Sequence, residues 1–216
     1  MTAAPEASQA AITRLVIAVA DALEGASGRL GELDAVAGDG DHGLTVAEAA
    51  QSIRAKLSRE SPRDVEALLY LAAAEFAQAG GAMGAIAYVL LGAVGHGAAE
   101  ELSAPDVSRL LGVAQDAVGE FGGAQPGDKT IVDAISAARE AAVDRANLGA
   151  SAAEALLAAV QGAREGADGT AGMIARVGRA NRLGEISRGT TDPGAESFVI
   201  SMEALAAACT SGGAQE

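Results

Sequence analysis

The chain has 216 residues, half of them apolar, yet it holds only two Tyr, three Phe and no Trp. Its apolar content is mostly Ala, Leu, Val and Ile, which suits closely packed helices better than a sheet built on aromatic and β-branched residues. Twenty-nine acidic against fifteen basic residues give a formal net charge of −14, a surface that repels polyanions and argues against a nucleic-acid partner.

Apolar spacing predicts a first helix over residues 8–23, with Ile12, Leu15, Val16, Val19 and Leu23 on one face. A glycine-punctuated loop is expected over 25–43. The next helix carries Val46, Ala50, Ile53 and Leu57 and stops near Ser61-Pro62. Another is expected over 65–78, ending at Gly80-Gly81, and another over 84–94. That last segment is apolar nearly all round, which predicts the buried member of the set. Helices follow over about 105–120, 130–147, 152–165 and 170–180. A loop then runs through Pro193 to a final helix ending near Cys209. Residues 1–7 and 211–216 are small and polar, and fraying is expected of them.

Eight or nine helices, no convincing strand and no repeat of constant period predict one all-α domain over 1–216. Glycine-rich connections recur between the helices, so several of them can gather at one end of a bundle. Residues 15–22 are apolar, but Glu6 precedes them and Asp21 and Glu24 interrupt or follow. No stretch approaches the roughly 18 uncharged apolar residues of a membrane span. The lone Cys209 reads as core and leaves no internal disulfide, which fits a reducing compartment. The expectation is a soluble cytoplasmic protein with no membrane partner.

The densest chemistry lies in Leu33-Asp34-Ala35-Val36-Ala37-Gly38-Asp39-Gly40-Asp41-His42-Gly43. Three carboxylates that converge without basic neighbours repel one another, so such a loop usually awaits a cation. Oxygen donors without Cys point to magnesium, calcium or manganese rather than zinc. The EF-hand pattern fails here: with Asp39 as its first position, the fifth, sixth and twelfth are Gly43, Leu44 and Ala50. A helix-capping turn would account for Asp41, but not for Asp34, Asp39 and the adjacent His42. The helix starting after Gly43 would present free N–H groups at Leu44 and Thr45 to a phosphate, with the Thr45 hydroxyl as a further donor.

Three later segments extend the pattern. They are Gly80-Gly81-Ala82-Met83-Gly84-Ala85, then Gly122-Gly123-Ala124-Gln125-Pro126-Gly127-Asp128-Lys129-Thr130, then Gly178-Arg179-Ala180 running on to Asp192-Pro193-Gly194-Ala195. With the acidic loop, in this order, they resemble the ADP-binding L subunit, or C-terminal nucleotide domain, of dihydroxyacetone kinases. The resemblance implies a barrel of about eight antiparallel helices with the nucleotide at one end. It implies two magnesium ions between the acidic cluster and the phosphates of ADP or ATP, with Asp34, Asp39 and Asp41 as metal ligands in the catalytic role. His42, Gly43, Leu44 and Thr45 would meet phosphate through the helix start, with Ala82 and Met83 beside it. Gly122 and Ile131 would contact the adenosine part, Arg179 a phosphate, and Asp192, Pro193 and Gly194 the far side of the nucleotide. The implied partner is a K-type subunit that holds the ketose through a His. The phosphoryl donor would be free ATP or a phosphotransferase-system protein.

Some segments also have plainer readings. Gly80-Gly81 suits a helix C-cap, Asp128-Lys129-Thr130 an N-cap and first turn that closes the pocket as scaffold, and His96 a loop between glycines. Three positions depart from the family's usual pattern: Met83 stands for a Ser, Ile186 after Gly184-Glu185 for an Arg, and Thr190 for a His. Losing one hydrogen bond to a charged group costs about 1.5–3 kcal/mol, enough to weaken binding or turnover without abolishing it. The intact acidic loop with altered surroundings implies a divergent branch acting on a related ketotriose or ketotetrose. It also leaves open a nucleotide-sensing module without turnover.

Overall fold

The computed structural model describes residues 4–98 and 102–212. Among them are nine α-helices and no strand: α1 Ala4–Gly25, α2 Ser27–Ala37, α3 His42–Leu57, α4 Val65–Ala79, α5 Gly81–Gly97, α6 Ala104–Gly122, α7 Ile131–Asn147, α8 Ala152–Gly169 and α9 Pro193–Gly212. Side-chain caps fix several helix starts. Ser103 with Asp106, Thr130 with Asp133 and Ser151 with Glu154 each form a capping box, which satisfies two backbone donors at a helix start.

From α3 onward each helix packs on its successor, α9 packs on α1, and α1 packs on α3, so eight antiparallel helices close a ring. In an up-and-down ring every second connection falls at the same end. The connections at 38–41, Gly80, 123–130 and 170–192 therefore share one end, where the first, third and fourth line a common cleft together with the start of α5. The ninth helix, α2, packs on α3 and α9 at that end. Buried Glu196 at the start of α9 fastens it there, paired with Arg29 of α2 at 3.1 Å and Arg164 of α8 at 2.7 Å.

The core has two clusters, one from α6–α9 with part of α5 and one from α1–α5. In the first, Ala134, Ala138 and Ala142 of α7 meet Ala155, Ala159, Ala163 and Ala167 of α8, all without exposed surface. A Cβ on Gly162 would lie 2.5 Å from the Ala137 carbonyl, and one on Gly166 2.6 Å from the Asp133 carbonyl. Only small residues permit that approach, and it holds the start of α7 against the end of α8.

Several expectations are corrected. The loop expected over 25–43 is mostly α2, leaving only 38–41 as loop. Gly43 serves packing: a Cβ there would lie 1.9 Å from the Ser27 carbonyl of α2. The helix expected over 170–180 is absent. There α8 gives way to a 3₁₀ turn over Thr170–Gly172, an irregular stretch, and a kinked 3₁₀ segment over Arg179–Ser187. Gly178, Gly184 and Gly189 all take positive φ, which an α-helix does not admit. Helix α5 buries only Gly84, Ala87 and Gly95, because a ring member keeps an outer face whatever its composition. His96 lies in the last turn of α5, 2.7 Å from Glu66, rather than in a loop. Cys209 is exposed rather than core. Of the tails 1–7 and 211–216, residues 1–3 and 213–216 lie outside the described residues; α1 begins at Ala4 and α9 ends at Gly212. No helix among the described residues is long and apolar enough to cross a membrane.

Candidate functional site

Asp34 occupies the last turn of α2, Asp39 the short loop, and Asp41 the position before α3. Gly40 makes the bend at φ 78°, a region open chiefly to glycine. One carboxylate oxygen from each Asp lies within 4.8 Å of the other two. Burial and the adjacent Asp39 raise the Asp41 carboxyl above its ordinary value. Burial would raise Asp39 as well, but its hydrogen bond with Asp41 and the Arg179 charge bring it below the usual range. Arg179 reaches over from the segment before α9, pairing with Asp39 and standing 3.5 Å from Asp41. An all-carboxylate donor set suits a hard divalent cation such as magnesium.

The neighbouring groups are placed by helix starts. The His42 amide donates to Asp34 Oδ2 at 3.3 Å, while its buried ring meets Ser197 Oγ of α9 through Nε2 at 2.7 Å. Burial lowers the His42 pKa against the pull of Asp34, and the ring tethers α3 to α9. The first residue of α5 lies beside the acidic cluster. A Cβ on Gly81 would be 3.6 Å from Thr45 Oγ1 and 3.8 Å from Asp41 Oδ2. The free N–H groups of that helix start thus stand near the carboxylates, where a metal-bound anion would lie.

Of the residues expected from sequence, Asp34, Asp41, His42, Ala82, Met83, Ile131, Arg179, Asp192, Pro193 and Gly194 line the cleft. Asp39 lies in the exposed loop beside it and joins it through Arg179. Thr45 is buried beneath Gly81. Gly43 faces α2, Leu44 is 62% exposed, and Gly122 is exposed at the end of α6; none of these lines the cleft.

The opposite wall holds Lys129 and Thr130, which sequence reading assigned to scaffold, beside Asp192, expected at the far side of the nucleotide. Lys129 lines the cleft, is almost fully buried and takes φ 62°, the one non-glycine positive φ among the described residues. Its ammonium donates to the Thr170 carbonyl at 2.6 Å and to the Thr190 carbonyl. The helix cap is Thr130 rather than Asp128, with Asp133 completing the box. Asp192 caps α9 by accepting from the Ala195 amide at 2.8 Å. Enclosure pushes its carboxyl up to about 6 despite that bond and the nearby Lys129 charge. A Lys after Gly-Asp carries no local signal for this role, because its partners lie 41 and 61 residues away.

The chain matches the DAK2 domain over residues 36–207. It belongs to the DAK2 domain family. Within that family it is a divergent homologue of the dihydroxyacetone kinase ADP-binding subunit. It is 32% identical to the PEP-dependent dihydroxyacetone kinase ADP-binding subunit DhaL of Escherichia coli over 82% of this chain and 85% of that one. It is 38% identical to the L-erythrulose kinase of Pectobacterium atrosepticum, over 97% of this chain but 36% of the relative. The DAK2 chain thus spans about a third of the length of that kinase. Its fold superposes on the C. freundii dihydroxyacetone kinase in complex with AMP-PNP and Mg2+. The TM-score is 0.69 at 27% identity, over 92% of this chain and 34% of that one.

Proposed function

We propose that this DAK2 chain is the nucleotide-binding subunit of a small-ketose kinase, cytoplasmic and active with a K-type partner that carries the ketose. The observation that carries the reading is the convergence of Asp34, Asp39 and Asp41 within 4.8 Å, beside Arg179 and the start of α5. Asp34, Asp39 and Asp41 would hold two magnesium ions. Bound there, the metal would offset the negative charge of the transferring phosphoryl group. Arg179, a permanent cation with a forked donor set, would bind phosphate. The helix start at Gly81 would add backbone donors, and Met83, Ile86 and Ile131 give the cleft an apolar side for the nucleoside; at the start of α3 the His42 amide is taken by Asp34 and the Thr45 amide by the Asp41 carbonyl. The similarity to an erythrulose kinase supports a ketotetrose or ketotriose as acceptor.

The test is calorimetric titration of magnesium with ADP into the chain and its Asp39→Asn variant. Tight magnesium-dependent binding lost in the variant is expected, and equal affinity in both would sink the reading. A second reading, a nucleotide-sensing module without turnover, draws on the phosphate side of the cleft. Met83 packs into the apolar core cluster, and Ile186 is 68% exposed, so neither supplies a phosphate donor. A coupled assay with a K-type subunit, dihydroxyacetone or erythrulose, and ATP separates the two, since sustained turnover refutes the second. Replacing ATP in that assay by a phosphotransferase-system protein and bound ADP identifies the donor.

A further inference from the structure

The segment between α8 and α9 is a closed loop whose ends meet. Across its neck, the Gly189 amide donates to the Ala171 carbonyl at 2.8 Å and the Asp192 amide to Thr170 Oγ1 at 2.9 Å. Its middle is stitched by Ser187, which accepts from the Ala175 amide at 2.9 Å and donates to the Gly184 carbonyl at 2.6 Å. Arg179 lies in the part that leaves this neck, and it meets Asp39 and Asp41 on the other wall.

Lys129 comes from outside the loop and grips both of its ends, through the carbonyls of Thr170 and Thr190. The residue just before it adds a third hold, as the Asp128 carbonyl accepts from the Arg176 amide at 3.2 Å. A buried ammonium is costly unless its donors are met, and the carboxylates of Asp192 and Asp133 stand near enough to offset its charge. The left-handed backbone at Lys129 is a conformation that a residue with a Cβ rarely adopts. Here it aims the side chain into the loop neck while Thr130, next in sequence, caps α7.

We infer that Lys129 is a positioning residue for the nucleotide site: it clamps the neck of the 170–192 loop and thereby delivers Arg179 to the acidic cluster. The inference rests on the proposed nucleotide role of that cluster. An unclamped loop of this length would spread Arg179 over many positions, and fixing it on binding would cost conformational entropy that the clamp removes in advance.

The experiment is a double-mutant cycle on magnesium-ADP affinity, using the whole chain with Lys129→Met, Arg179→Ala and the two combined. A residue acting through Arg179 gives a non-additive cycle, whereas a separate contact to phosphate or a general loss of stability gives an additive one. Each single variant is expected to lose about tenfold to a hundredfold in affinity, and the pair to lose no more than Arg179→Ala alone. Losses that multiply overturn the inference. Hydrogen exchange supplies a readout that needs no ligand. In Lys129→Met the Arg176 and Gly189 amides should exchange faster while those of α3 and α6 keep their rates, and unchanged protection at both also overturns it. If Lys129→Met fails to fold, Lys129→Gln, which keeps a neutral donor, carries the same cycle and exchange test. Failure of the unaltered chain to bind magnesium-ADP would instead defeat the proposed function, and the exchange comparison would still judge the clamp.

Discussion

The two walls of the cleft are built on opposite principles. On the α2–α3 wall, three carboxylates share a small volume and face a single guanidinium, Arg179, with the Asp39 side chain half exposed. On the α7–α9 wall, Lys129, Asp133, Thr170 and Asp192 hold one another and the nearby backbone through hydrogen bonds. One wall carries charge in excess of its partners and the other satisfies its own. Excess charge is what a ligand can neutralise, whereas a satisfied network fixes shape. The contrast assigns ligand binding to the first wall and its geometry to the second.

The largest expected effect breaks the first wall. Asp41→Asn should lower magnesium-dependent ADP affinity by more than about a hundredfold, because it removes a ligand charge in a site that depends on charge. Circular dichroism and melting should show the fold unharmed, since one of three crowded carboxylates has gone. A large loss of stability would mean that this wall, too, is structural.

The next effect concerns Asp192 on the second wall. Its folded pKa of about 6 lies above the ordinary aspartate value of 3.8, so the folded state binds this proton more tightly than the unfolded chain does. The associated stability is present in full below the unfolded pKa and is lost as pH rises through about 6. Urea unfolding of the ligand-free chain and of Asp192→Asn, followed from pH 4 to 7, should therefore diverge in favour of the variant. The divergence should reach up to about 3 kcal/mol, and parallel curves would show that the carboxyl is not enclosed.

A smaller effect follows from helix packing beneath that wall. Gly166→Ala places a Cβ 2.6 Å from the Asp133 carbonyl, and overpacking of this kind costs about 1–3 kcal/mol. For a chain of this size each kcal/mol lowers Tm by roughly 2–4 °C. Nucleotide affinity should drop only as far as the shift of Asp133 loosens the Lys129 end of the cleft. The smallest effect belongs to the tether between the walls. Ser197→Ala removes the partner of the His42 ring and should cost about 1 kcal/mol of stability. Metal affinity, measured with Mn2+, should stay unchanged, and its loss would place the His42 ring in the metal site.

How far these walls can be read in advance depends on how local their partners are. The acidic wall is legible because its three carboxylates fall within eight residues, and one glycine bend brings them together. The cleft side of α5 and Arg179 were reached only through family resemblance, since single glycines and one Arg among several carry no chemistry by themselves. Gly43 and Gly122, named on the same basis, and Leu44, named from the helix start, lie off the cleft. Lys129 was taken for scaffold because nothing around it in sequence reports a carbonyl at Thr170 or Thr190.

The sequence by itself determined that the protein is all-α and that its glycine-rich connections could meet at one end. Helical periodicity, capping residues and the lack of aromatics are local properties, and local properties survive being read one segment at a time. Tertiary structure alone decided that residues 27–37 are a helix: Gly43, which looks like a break, is a spacer where α3 touches α2. It also decided that the 170–192 segment is a clamped loop rather than a helix, and that Asp192 titrates near 6. These properties arise from enclosure and from bonds between distant segments, and they exist only once the ring of helices has closed.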